Sequence, residues 1–168
     1  MNKHSLREKF LKSRCGSEIL FTGIIYTARD QAHKKIVALI KKKQKLPFDL
    51  ADQIIYYCGP TGTPKGKIIG SCGPTTSSRM DEFVEPLLKK GLLGMIGKGR
   101  RSKKVHELIK KYRAIYFIAS SGCGALLAKK VISKELIAFK ELGPEAIYKL
   151  KVVDFPLIVA IDSKGKSI

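Results

Sequence analysis

Apolar and polar positions along this chain change period repeatedly, and each change predicts an element. "EILFTGIIYTARD" (18–30) is rich in Ile, Phe, Thr and Tyr, which predicts a strand pair or one bent strand kinked at Gly23. "DQAHKKIVALIKKKQ" (30–44) then places Ala32, Ile36, Leu39 and Ile40 at helical spacing. Asp30 is its expected cap, lysines fill its last turn, and Pro47 closes the segment. Two short β-rich runs follow, Ile54–Cys58 and Lys67–Cys72, around a Pro/Gly/Thr loop, and each run enters the tetrapeptide "CGPT" (58–61 and 72–75).

"SSRMDEFVEPLLKKG" (77–91) predicts a helix capped by Ser or Thr, with acids early and lysines late. Pro86 inside it implies a kink or a displaced start. A strand "LLGMIG" (92–97), a loop "KGRRS" (98–102), a helix "SKKVHELIKKYR" and a strand entering "ASSGCG" come next. "ALLAKKVI" reads as a short helix, and "ELIAFKELG" and "EAIYKLKVVDFPLIVAIDSKG" as closing strands. Strand–helix alternation framed by β segments predicts a mixed α/β fold, a sheet with flanking helices. The 168 residues suit one domain, 1–168, with residues 1–17 expected as a basic, loosely docked arm.

Composition narrows the functional classes. No apolar run approaches the roughly 20 residues that span a bilayer, and "MNKHSLREKFLKSRCG" lacks the apolar core of a secretory signal. A cytoplasmic chain without a membrane partner is expected. The net charge of +19 attracts anions of some kind. A basic nucleic-acid-binding module is one reading, but the tyrosines sit in strand-like apolar runs, which favours core over stacking, so no nucleic-acid partner is expected. Cys15, Cys58, Cys72 and Cys123 have neither zinc nor compact iron–sulfur spacing, and no metal site is expected in this chain. His33 and His106 fall within helices and read as surface or internally satisfied residues.

The candidate chemistry lies in "GPTTSSR" (73–79). A loop entering a helix presents unpaired N–H groups, and hydroxyls and an arginine add donors, which suits a carboxylate or phosphate. No Walker lysine is present. Arg29 ends one predicted strand and Lys98 follows another. Strand-end loops of α/β sheets commonly line a ligand crevice. Arg29, Arg79 and Lys98 together could clamp a small dicarboxylate, the arginines bidentately and the lysine as a point charge. "ASSGCG" could bind an anion but reads first as a tight turn.

These motifs together resemble the β subunit, or equivalent C-terminal domain, of class I fumarases and the related β subunit of tartrate dehydratase. The resemblance is carried by "GIIYTARDQAHKK", "YYCGPTGTPKGKIIGSCGP", "GPTTSSRMD", "GKGRRSKKV", "YFIASSGCGALLAKKV" and the closing stretch 141–165, so it covers roughly residues 18–165. It implies a swivelling β/β/α domain and an iron–sulfur-dependent hydro-lyase interconverting (S)-malate and fumarate, with L(+)-tartrate the alternative substrate. It also implies a [4Fe–4S] cluster held by a partner α subunit, hence a hetero-oligomer in which this chain is inactive alone. Carried over by position, Arg29, Arg79 and Lys98 bind substrate carboxylates and Thr75 is the catalytic base, assisted by an acid of the partner. Ser78 and Cys123 stand where the family usually has glycine or another small residue, and the first "CGPT" lacks a following arginine and is assigned to structure.

Overall fold

A computed structural model describes the backbone of residues 3–168 and the side chains of residues 6–168. Strand β1 (Glu18–Thr27) is a single bent strand. Its register against the last strand, β6 (Ile147–Ile161), slips between Phe21 and Gly23. A Cβ on Gly23 would press into the Phe21 ring, at 2.7 Å from Cζ, so glycine permits the bend. β1 pairs in parallel with β2 (Ile54–Tyr56), β2 with β3 (Gly94–Gly97) and β3 with β4 (Ile115–Ile118). β6 runs antiparallel to β1, to β4 and to β5 (Val131–Ala138). The β1–β6 pairing closes β1-β2-β3-β4-β6 into a barrel-like ring, with β5 added along β6.

Alternation along the short strands feeds two cores. Ile54, Tyr56, Ile96, Ile115 and Phe117 point into the ring, where Phe21, Leu150, Phe155 and Val159 fill it. Ile55, Tyr57, Met95 and Tyr116 point outward. That outer face is covered by α2 (Asp30–Lys41), α3 (Val84–Lys89) and α4 (Lys103–Tyr112), through Ile36, Leu87, Val105 and Ile109. Strands buried on both faces carry no solvent-facing polar register, and "IIYYC" and "GMIG" are correspondingly apolar throughout. Among the described residues no helix is long and apolar enough to cross a membrane.

Several predicted elements differ. The run Lys67–Cys72 is not a strand: Ser71 N donates to Thr61 Oγ1 (2.9 Å) and its carbonyl accepts from Thr61 N (2.9 Å), folding the segment back on the first "CGPT". The 77–91 helix divides into a 3₁₀ turn, Ser77–Phe83, and α3. Pro86 thereby falls in the first turn of α3, where a backbone donor has no intrahelical acceptor to lose. α5 is only Gly124–Ala128, and "VI" after it already belongs to β5. Asp30 is the first residue of α2 rather than its cap, which is Arg29.

The expected N-terminal arm is in part an ordered element. Residues 1 and 2 lie outside the described residues, but Lys3–Lys12 forms α1. Its Phe10 is buried in the ring core, 5.0 Å from the Phe117 ring centroid and 5.8 Å from that of Phe21. A single deep aromatic outweighs the basic, weakly amphipathic composition around it. Phe10→Ala is expected to lower stability by about 4 kcal/mol, read as a shifted urea midpoint; an unchanged midpoint would mean that α1 contributes nothing to the fold.

Candidate functional site

Because β1, β2, β3 and β4 run in the same direction, their C-terminal ends emerge together. Arg29, the first "CGPT", Lys98 and the "SSGCG" loop follow these four ends in turn. Between two of them the chain inserts residues 75–77. Thr75 N donates to Tyr57 O (2.7 Å) beyond β2, Lys98 N donates to Thr75 O (3.2 Å) beyond β3, and Ser77 N donates to Lys98 O (2.9 Å). Thr76 and Lys98 form a parallel bridge. Gly97 is required here, since a Cβ would collide with the Ser77 side chain and the Tyr57 ring. Thr75 and Lys98 are half-buried neighbours on this wedge.

The two arginines meet on one carboxylate. Arg79, half-exposed, donates Nε to Asp30 Oδ1 (3.0 Å) and Nη2 to Asp30 Oδ2 (2.8 Å). Arg29 Nε lies 3.9 Å from the same Oδ2, and Arg29 Nη2 lies 3.6 Å from Glu145 Oε1. Arg29 Nε is buried with no hydrogen-bond partner among the described residues. Gly59 of the first "CGPT" backs this side chain: a Cβ there would sit 3.0 Å from Arg29 Cδ and 3.2 Å from Pro144 O. The segment assigned to structure is thus also a surface against which Arg29 lies. The sequence reading missed Asp30 and Glu145 as partners; the acid beside Arg29 in "TARD" was the available signal, read there as a cap.

His33 stands beneath Arg29. Its Nδ1 is 2.8 Å from Arg29 O, which only accepts, so Nδ1 carries the proton. The ring packs against Tyr57 and Phe83. Burial dominates and lowers its pKa to about 4. The "SSGCG" loop makes a turn packed under "GPTT", with Cys72 N donating to Gly124 O (3.1 Å) and Gly124 facing Gly73.

The cysteines do not assemble a ligand set. Cys58 and Cys72, the first residues of the two "CGPT" turns, are both buried, and the hydrogen bond with Cys72, then burial, pushes the Cys58 thiol up. Among the described residues no group of three or more His, Cys, Asp or Glu could hold a metal ion. Of the 13 Phe and Tyr side chains, eight are buried and five, Tyr26, Phe48, Tyr112, Phe139 and Tyr148, are half-buried.

In this mixed α/β domain Lys98 lies beside the Thr75 wedge and Arg29 and Arg79 meet on Asp30, all beyond the C-terminal ends of the parallel strands. Comparison with known proteins makes the class specific: residues 1–168 match the model of the fumarase C-terminus, and the chain belongs to that family. A relative from Methanocaldococcus jannaschii, provisionally named an L(+)-tartrate dehydratase subunit beta, is 42% identical over 163 residues, 94% of this chain and 84% of the relative. The anaerobic class I fumarate hydratase of Escherichia coli K12 is 41% identical over 151 residues, 89% of this chain but only 28% of the relative. The L(+)-tartrate dehydratase subunit beta of the same strain is 34% identical over 160 residues, 92% of this chain and 78% of the relative. The chain therefore spans most of a β subunit and about a quarter of a full-length fumarate hydratase.

The His33 environment sets an acid limit. An unfolded histidine protonates near pH 6.5 and the buried one only near 4, so the unfolded state binds more protons between these values and stability falls as pH drops through that window. The full effect is about 3 kcal/mol. The thermal midpoint of the wild type is expected to decline from pH 6.5 to 4 more steeply than that of His33→Gln; parallel profiles would remove His33 as the cause.

Proposed function

We propose that this chain is the β-type half of a hydro-lyase that adds water to, or removes it from, a four-carbon dicarboxylate. The observation that carries the reading is the backbone hydrogen bond that joins Lys98 to Thr75, on the same strand-end edge where Arg29 and Arg79 share Asp30. Family membership, and relatives named as fumarate hydratases and tartrate dehydratase β subunits, support the hydro-lyase class.

In this reading Arg29, Arg79 and Lys98 grip the substrate carboxylates. Asp30 holds Arg79 through Nε and Nη2, which fixes the guanidinium plane and leaves the Nη1 corner for a ligand. Arg29 is sealed at Nε but keeps part of its side chain exposed, which is the part a carboxylate would meet. Removing a proton from the carbon beside a carboxylate spreads negative charge onto that carboxylate, and preorganised cations stabilise the charge as it develops. Thr75 Oγ takes the proton. A threonine hydroxyl is a weak base unless a neighbour accepts its proton in turn, so a carboxylate of the partner α subunit completes the relay. In this reading a [4Fe–4S] cluster belongs to the partner α subunit, where it would act as a Lewis acid on the leaving hydroxyl; the lack of a ligand set among the described residues of this chain supports that division. Malate and fumarate are the first reading. L(+)-tartrate is the second, favoured by the fact that the tartrate dehydratase β subunits match over 84% and 78% of their own length.

The test is anaerobic reconstitution with the cognate α subunit and a panel of malate, fumarate and L(+)-tartrate. Turnover of at least one substrate by the pair, and none by this chain alone, is expected; activity of the isolated chain without iron would contradict the divided site. In the active pair, Thr75→Ala is expected to lower kcat by a factor on the order of 10²–10⁴ without dissociating the subunits, whereas a normal kcat would refute Thr75 as base. Arg79→Lys is expected to weaken dicarboxylate binding by about 2 kcal/mol, roughly thirtyfold in KM, and unchanged kinetics would take Arg79 out of the site.

A further inference from the structure

One buried ion pair joins the segments that build the site without being part of it. The Arg101 side chain has no exposed area, and its Nε donates to Asp81 Oδ1 at 2.7 Å. Asp81 Oδ2 accepts from Ser102 N at 2.8 Å. The guanidinium lies between two tyrosines, 5.3 Å from the Tyr57 ring centroid and 5.0 Å from that of Tyr116, with Nη1 3.4 Å from the Tyr57 hydroxyl. Nη2 is buried with no hydrogen-bond partner among the described residues. Desolvating an arginine and leaving one of its donors unpaired is costly, and an apolar pair of similar volume commonly stabilises a fold as well or better. Stability alone therefore does not account for a charge in a core otherwise built of Met80, Met95, Val105 and Ile109.

The contacts of this pair share a pattern. Asp81 lies two residues beyond Arg79 in the 3₁₀ turn, and Arg101 lies three beyond Lys98. Tyr57 offers the carbonyl that holds Thr75. The Tyr116 hydroxyl sits 2.9 Å from Ser77 Oγ and 2.8 Å from Gly99 O, tying the Thr75 segment to the Lys98 segment. Neither segment is rigid by itself: one is a short 3₁₀ turn, a weakly bonded element, and the other a loop with Gly99 at φ +81°. A displacement of about 1 Å between catalytic groups can cost on the order of 10²-fold in rate.

We propose that Arg101 and Asp81, acting with Tyr116, are positioning residues that hold Lys98 in register with Thr75 and Arg79. The proposal rests on the assignment of those three residues to the site. The double variant Arg101→Met/Asp81→Leu separates it from a merely structural role, because it removes both charges together. Expected are a thermal midpoint within a few degrees of wild type and, in complex with the α subunit, a kcat at least about tenfold lower with a smaller change in KM. Wild-type kcat in a stably folded double variant would overturn the proposal.

Tyr116→Phe keeps the ring over Arg101 and removes only the bridge. In the full chain, amide exchange at Ser77 and Lys98 is expected to accelerate by about tenfold or more, with Tyr57 and Ile115 unchanged. Uniform acceleration, or none, would overturn the proposal even if the double variant fails to fold. Should the reconstituted pair turn over none of the three acids, the hydro-lyase reading fails while the exchange measurement still judges the clamp.

Discussion

Three backbone hydrogen bonds govern the geometry of this domain's working edge. β2 and β3 pair over three residues and then part, leaving the Tyr57 carbonyl and both Lys98 backbone groups without sheet partners. Residues 75–77 supply those partners in sequence: Thr75 N to Tyr57 O, Lys98 N to Thr75 O, Ser77 N to Lys98 O. Buried backbone polar groups must be satisfied, so the requirement that stabilises the parting strands also brings a hydroxyl segment from mid-chain beside a lysine. Glycine at 97 and serine at 77 follow from the closeness of that insertion. The arginines join by a different force, the shared Asp30 carboxylate, which offsets part of the repulsion between two cations held close together.

The division of each strand between two cores explains why the candidate residues lie at the rim. Residues alternate between the ring interior and the helix-covered face, so β2, β3 and β4 have no register left for solvent. Polar function is confined to where strands end and loops begin, as in other α/β sheets with parallel ends. Arg101, like His33, enters the helix-side core, where it packs against Tyr57, just beyond β2, and Tyr116 of β4.

Much of this was legible in the sequence, and the rest was hidden for definable reasons. Long periodic runs gave α2, α4, β1 and β6, and Gly23 gave the bend. Charge and strand-end placement gave the three cations Arg29, Arg79 and Lys98, and the resemblance of motifs gave the family and Thr75 as the candidate base. Lys67–Cys72 failed because Ile68 and Ile69 have β-like composition, while the hydrogen bonds that fold them back come from Thr61. α1 failed because one phenylalanine among lysines makes no pattern, although its burial decides the docking. Arg100 and Arg101 are indistinguishable by composition, yet the first is exposed and the second sealed. Their difference arises from Asp81, Tyr57 and Tyr116, all distant along the chain.

Closure of the ring by β1 and β6 has a kinetic meaning. Glu18 pairs with Ile158 and Tyr26 with Lys149, so the first and last strands must find each other across nearly the whole polypeptide. Joining such remote ends requires paying loop-closure entropy before any pairing rewards it, which makes high-contact-order folds slow. On the ribosome the ring stays open until β6 has emerged, and β1 waits meanwhile with an unpaired edge. Nascent chains of this domain therefore depend on holding that edge apart from other strands until synthesis reaches the segment that seals it.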